Sequence, residues 1–131
     1  MKSIAAVLCS FLVCGGLLAQ KPVWQPSPGH SQIPIWPAAV PDPQPTSGPE
    51  FEETTPKEFP PNTGRTATGI SNVTRPTMTV YSPKGNNTGV AVVVFPGGGY
   101  QNLAIDLEGT DVCDWLVPRG ITCVLFKISD H

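Results

Sequence analysis

The chain has 131 residues and a formal net charge of −2. That length holds at most one small domain, and that charge gives no basic surface for nucleic acid or an anionic membrane. Of its sixteen prolines, twelve lie between Lys21 and Pro61. This divides the chain into an apolar leader at 1–19, a proline-rich extended segment at 20–70, and a globular part at 71–131. Only about sixty residues then remain for a core, which is marginal for an independent fold.

Met1-Lys2 supplies a small positive start, and Ile4 to Leu18 is apolar and uncharged. The apolar run is shorter than the ~20 residues a spanning helix needs, so it reads as a secretory signal cleaved near Ala19. The expected location is secreted or periplasmic, with no membrane attachment after cleavage. Cys9 and Cys14 fall in this leader, behind Leu8 and Val13 rather than the small residues of a lipoprotein signal. Cys113 and Cys123 remain in the mature chain. Secretion permits a disulfide between them. The preferred expectation is two small, separate core thiols, since free cysteine is among the most buried residue types.

Between Lys21 and Thr68 no period of two or of 3.6 is sustained. Pairs such as Pro26-Pro28 and Pro41-Pro43 favour extended chain. The segment is expected to lie along the domain, the other possibility being a proline-rich arm that binds a partner. Ile33-Pro34-Ile35-Trp36-Pro37 places large apolar groups in a polar stretch and is expected to pack on the domain. His30 has no partner at catalytic or metal spacing and is read as surface.

Val73 to Tyr81 reads as a strand whose start Pro76 places at a sheet edge, with Met78 and Val80 alternating with a wetter face of Thr77, Thr79 and Tyr81. Pro83, Gly85, Asn86, Asn87 and Gly89 then form a dense turn signal. Asn72-Val73-Thr74 and Asn86-Asn87-Thr88 match the glycosylation pattern. Val90 to Phe95 is an unbroken apolar run and reads as a strand buried on both faces. Pro96 ends it, and Gly97-Gly98-Gly99-Tyr100 follow. Val112, Trp115 and Leu116 then recur at helical spacing, with Glu108 and Asp111 in the first turn and Pro118 and Gly120 as stop signals. These predict a helix from about Glu108 to Val117. Ile121 to Phe126 is a further buried strand. Strand, glycine turn, helix and strand make a βαβ unit with parallel strands.

Ligands on such sheets bind beyond the carboxyl ends of the strands, where Gly97 to Gly99 lie. Consecutive glycines about eight residues before the helix do not make the Gly-X-Gly-X-X-Gly of a dinucleotide site. No Gly-Lys-Ser/Thr follows, so a P-loop is also excluded. An oxyanion hole remains, built from backbone N–H groups aimed at developing negative charge.

Pro96-Gly97-Gly98-Gly99-Tyr100, Leu103 to Val112, Trp115-Leu116 and Gly120-Ile121-Thr122 together resemble secreted bacterial esterases of the α/β-hydrolase superfamily. Those are relatives of acetyl-xylan and other carbohydrate esterases, some labelled as endo-xylanase-like. Asn72 to Tyr81 resembles the strand that opens their domain, and Ile35-Trp36-Pro37 resembles a short apolar segment after their signal peptide. The likeness spans roughly Asn72 to Lys127. It implies an α/β fold, the amino-terminal part of a three-layer α/β-hydrolase sandwich with a mostly parallel sheet. It also implies serine chemistry in which serine attacks an ester carbonyl and histidine takes its proton.

By that resemblance Gly98 and Gly99 are the oxyanion donors and Gly97 shapes the turn. Tyr100 either lines an acyl or sugar pocket or packs on the loop. Pro96 stands where relatives often have histidine, so a loop-bracing hydrogen bond is lost. The implied substrate is an acylated carbohydrate or other small ester, with no cofactor, no metal and no nucleic acid. A peptidase of the same fold is the alternative within enzymes, and a non-catalytic secreted protein the alternative outside them.

No Gly-X-Ser-X-Gly occurs in the sequence. Ser129-Asp130-His131 are adjacent and cannot converge as a triad. Glu108 and Asp111, three apart on one helix face, do not flank a cleft as glycosidase carboxylates must. The nucleophile, acid and base are therefore not expected in this chain, which reads as a truncated esterase, inactive alone.

Overall fold

The computed structural model describes residues 23–41, 43 and 48–128. The signal-peptide reading at 1–19, with Cys9 and Cys14, and the Ser129-Asp130-His131 terminus lie outside them. Strand β1 spans Ile33–Pro34, β2 Phe51–Thr54, β3 Thr68–Ser71, β4 Thr77–Tyr81, β5 Ala91–Val94 and β6 Thr122–Lys127. One α-helix, α1, spans Asp111–Leu116. It is entered through a π-helical turn at Asp106–Thr110 and left through a 3₁₀ turn at Val117–Arg119. The predicted helix is thus present, with irregular turns at both ends. Gly109 explains the close seating of its entry on the sheet. A Cβ there would stand 3.1 Å from both Leu125 and Pro96, tighter than side chains tolerate without shifting.

The fold is mixed α/β. Four strands form a sheet in the order β1-β4-β6-β5, and β2 and β3 form a separate antiparallel ribbon. β5 and β6 pair in parallel across α1, as the βαβ reading requires. The sheet is nevertheless mixed rather than mostly parallel, because β1–β4 and β4–β6 are antiparallel. β4 reaches β5 through the short loop 82–90, which reverses the chain past the start of β6, so β4 runs antiparallel to the parallel β5–β6 pair. Among the described residues a helix covers one face of this sheet, giving two layers rather than three.

The covered face carries Thr77, Thr79 and Tyr81 of β4, Cys123, Leu125 and Lys127 of β6, and Val92 and Val94 of β5. Cys113 and Leu116 of α1 pack on it, with Ile70, Val73, Leu103, Ile105 and Trp24 completing the core. The wetter face expected of β4 is therefore inverted: Thr79 is 2 % exposed while Val80 is 37 % exposed. Strand alternation separates two faces, but only the position of the helix decides which one is covered. For the same reason β5 is not buried on both faces. It is an edge strand, and Val90, Val93 and Phe95 are each more than half exposed.

Cys113 and Cys123 form a disulfide between α1 and β6. This corrects the expectation of separate thiols. Both residues are fully buried, as expected, but the crossover brings their Cα atoms to 5.2 Å, within the range a disulfide bridges.

The proline-rich segment is docked rather than merely extended. β1 lies against β4, with Ile33 opposite Met78, and Trp24 enters the core at 8 % exposure. The Ile33–Pro37 stretch thus reaches the domain through backbone pairing, while Trp36 stays exposed. Lys127, buried on β6, pairs with Glu50 Oε1 at 2.5 Å. His30 is not free surface either, since its ring lies 4.3 Å from that of Tyr81.

Candidate active site: the glycine loop

Pro96 turns the chain out of β5 and is itself buried against the helix entry. Gly97 to Tyr100 then form a tight loop at the carboxyl end of β5. The Ala104 N–H donates to Gly97 O at 2.7 Å, and the Gln101 N–H to Gly98 O at 3.4 Å. Gly99 and Tyr100 take left-handed conformations, φ 65° and 60°. Gly98 is required by close approach, since a Cβ there would lie 1.8 Å from the Asn102 carbonyl oxygen.

The Gly97 N–H donates to Glu108 Oε2 at 2.8 Å. A carboxylate from the π-helical turn thus braces the loop. The N–H groups of Gly98 and Gly99 have no acceptor among the described residues.

A cleft of about 300 Å³ lies beside Gly98. Gly98, Asn102, Leu107 and Glu108 form one wall, and Phe59, Thr68 and their neighbours form the other. The two walls are fastened together. The Thr68 N–H donates to Asp106 Oδ2 at 2.7 Å, and Ile70 and Leu103 exchange backbone hydrogen bonds at 2.9 and 2.8 Å. Arg65, leading into β3, pairs with Asp111 at 2.8 Å, and that carboxylate raises the guanidinium pKa above its ordinary value.

The cleft lining includes no serine, cysteine or histidine. Its hydroxyls are those of Thr55 and Thr68, and Thr55 Oγ1 already donates to the Lys57 carbonyl at 2.9 Å. Ser27 Oγ and His30 Nδ1 lie 3.2 Å apart, but they sit beside Tyr81, at the opposite end of the sheet from the glycine loop. The loop donors do not serve that pair. Tyr100 is 90 % exposed and is not part of the cleft wall. Glu108 and Asp111 do not act as a pair: Glu108 holds Gly97 and Asp111 holds Arg65. Among the described residues no cluster of three or more histidine, cysteine or carboxylate groups is placed to hold a metal ion. No helix among them is long and apolar enough to cross a membrane.

Sequence reasoning assigned Glu108 only to the helix dipole and missed its bond to Gly97. It missed Asp106 and the β2–β3 ribbon as the far wall of the cleft. Nothing in local spacing signals either one, because the partners lie 11 and 38 residues away.

The chain finds no family model, no curated protein and no solved structure similar to it.

Proposed function

We propose that this chain carries the oxyanion side of a serine ester-hydrolase site of the α/β-hydrolase type. The observation that carries this reading is the pair of N–H groups on Gly98 and Gly99 without an acceptor among the described residues, at the carboxyl end of β5, where Gly98 lines a cleft. Two adjacent amides held by a braced loop are pre-set for the oxygen of a tetrahedral intermediate, so no reorganisation is needed when charge develops. The β5–loop–α1–β6 unit with its parallel strands supports the fold assignment.

Gly97 acts as the loop turn, its N–H spent on Glu108. Tyr100, exposed beside Gly99, is the aromatic group open to a sugar ring of the substrate. The substrate class is an acylated carbohydrate or another small ester, and no cofactor is required. The nucleophile and base come from outside the cleft, whose lining holds no serine, cysteine or histidine, and its one carboxylate, Glu108, is spent on the Gly97 N–H. The apolar leader and the Cys113–Cys123 disulfide support secretion.

The test is titration of the labelled protein with methylphosphonate, a tetrahedral oxyanion mimic, followed through backbone amide resonances. Selective shifts of the Gly98 and Gly99 amides are expected; their absence at saturating anion overturns the reading. In parallel, p-nitrophenyl acetate hydrolysis by this chain is expected at background. Robust turnover sensitive to a serine inhibitor would overturn the assignment of donors without a nucleophile.

A further inference from the structure

Ala67, Gly69, Gly98 and Ala104 give the cleft beside the glycine loop a lining of small residues, set between the larger side chains of Phe59 and Leu107. Ala67 and Gly69 are buried, whereas Phe59 is 52 % exposed and open to a ligand. The cleft volume, about 300 Å³, stands at the lower end of the range for small-molecule sites, about 300–1,000 Å³. It suits a single ring with a head group.

Asn102 supplies the polar end of this cleft. Its side-chain amide sits between two glycine backbones. A Cβ on Gly69 would stand 3.1 Å from Nδ2, and one on Gly98 would stand 2.7 Å from Oδ1. The amide has no hydrogen-bond partner among the described residues, and both of its polar atoms keep accessible surface. It therefore offers N–H groups and an oxygen side by side. The Gly98 N–H, also without an acceptor among the described residues, adds a donor on the same wall.

Water meets such groups in solution, and a ligand that displaces it gains affinity only by reproducing its hydrogen bonds. An apolar head cannot do so. A carboxylate accepts but does not donate, and it meets Glu108, the one charged residue of the lining. An ammonium donates but does not accept, and its attraction to the exposed Glu108 is worth little. A neutral carboxamide donates and accepts at once, and carries no charge toward Glu108.

We propose that this cleft binds a small ring-bearing carboxamide, its ring between Phe59 and Leu107 and its head paired with the Asn102 amide and the Gly98 N–H. The site shares Gly98 with the ester-hydrolase reading but does not depend on it, since a bound carboxamide needs no nucleophile.

The test titrates the full chain with benzamide, benzoate and benzylamine, three probes with one ring and different heads, following backbone and asparagine side-chain amides. Benzamide is expected to shift the Asn102 side-chain amide and the Gly69 and Gly98 amides by about 20 mM, a concentration that fills even a millimolar site. Benzoate and benzylamine are expected to bind more weakly. Asn102→Leu keeps the bulk of the side chain and removes its donors and acceptor. It is expected to weaken benzamide about tenfold, the worth of one hydrogen bond, and to erase the preference over the charged probes. Phe59→Ala, at a half-exposed side chain, is expected to weaken all three probes about threefold while leaving their order unchanged. It decides the matter together with the probe series if Asn102→Leu does not fold. No shifts with benzamide, benzoate or benzylamine binding as tightly as benzamide, unchanged benzamide affinity in folded Asn102→Leu, or unchanged affinity in Phe59→Ala would each overturn the proposal.

Discussion

Glu108 Oε2 accepts a hydrogen bond from the Gly97 N–H at 2.8 Å, placing a carboxylate directly against the loop proposed to hold an oxyanion. The contact has two opposing effects. It fixes the loop, and it sets a negative charge near the donors of Gly98 and Gly99. Glu108→Gln separates the two, because the amide oxygen still accepts from Gly97 while the charge is gone. An exposed charge a few ångströms away acts through high dielectric, on the order of 1 kcal/mol. Methylphosphonate should therefore bind up to about fivefold more tightly to Glu108→Gln. Glu108→Ala, which removes the brace too, should instead speed amide exchange at Gly97. Both are read in the same titration and exchange experiments.

The Cys113–Cys123 bridge closes a loop with a sequence separation of 10, joining α1 to β6. A loop of that size constrains the unfolded chain by about 2–3 kcal/mol. Cys113→Ala/Cys123→Ala should lower the urea midpoint accordingly, with part of the loss in the small cavities left beside Leu116 and Leu125. The parent protein should show a comparable shift on full reduction.

β5 leaves one edge unpaired among the described residues and exposes Val93 at 51 % and Phe95 at 58 %. An edge strand of this kind templates strand addition between chains. Val93→Lys should raise the concentration at which the protein aggregates, measured by light scattering, with a change in unfolding free energy within about 0.5 kcal/mol, as for surface positions. Equal aggregation of the two proteins would show that the edge is protected in solution.

Tyr81 ties stability to alkaline pH. Its pKa is raised in the folded state, first by burial and then by Asp114. Below the ordinary tyrosine pKa, about 10, both states hold the proton and the group adds no pH dependence. Above it the unfolded chain ionises first, so stability falls as pH rises toward and through the raised folded value. Tyr81→Phe should flatten this alkaline slope, seen as melting temperatures that diverge from the parent's only above about pH 10.

Much of the local structure was legible from residues alone. The valine run, Pro96 and the three glycines marked strand, stop and turn because β-branched residues, a missing N–H and a missing Cβ each act within a few residues. The helix before Pro118 and the parallel β5–β6 pair followed from periodicity and crossover length. The positions of Gly98 and Gly99 beyond a strand end followed from the same unit. What the sequence by itself determined is therefore the order and kind of the elements from β4 to β6 and the location of the glycine loop, whereas β1, β2 and β3 fall in the stretch that reads only as extended chain.

The tertiary structure decided the rest, since each remaining feature depends on a partner far along the chain. Strand alternation made two faces on β4, but the seating of α1 on the neighbouring β6 chose the buried one. The short 82–90 loop made the sheet mixed, and nothing in the Val90–Phe95 run announced that β5 would be an edge. Cys113 and Cys123 became a bridge only when the crossover brought helix and strand together. The cleft wall from β2 and β3, the Glu108 brace and the unpartnered Tyr81 hydroxyl are likewise contacts between distant segments. Propensity and spacing act over a few residues, whereas burial and partnership are set by which surfaces the whole chain brings together.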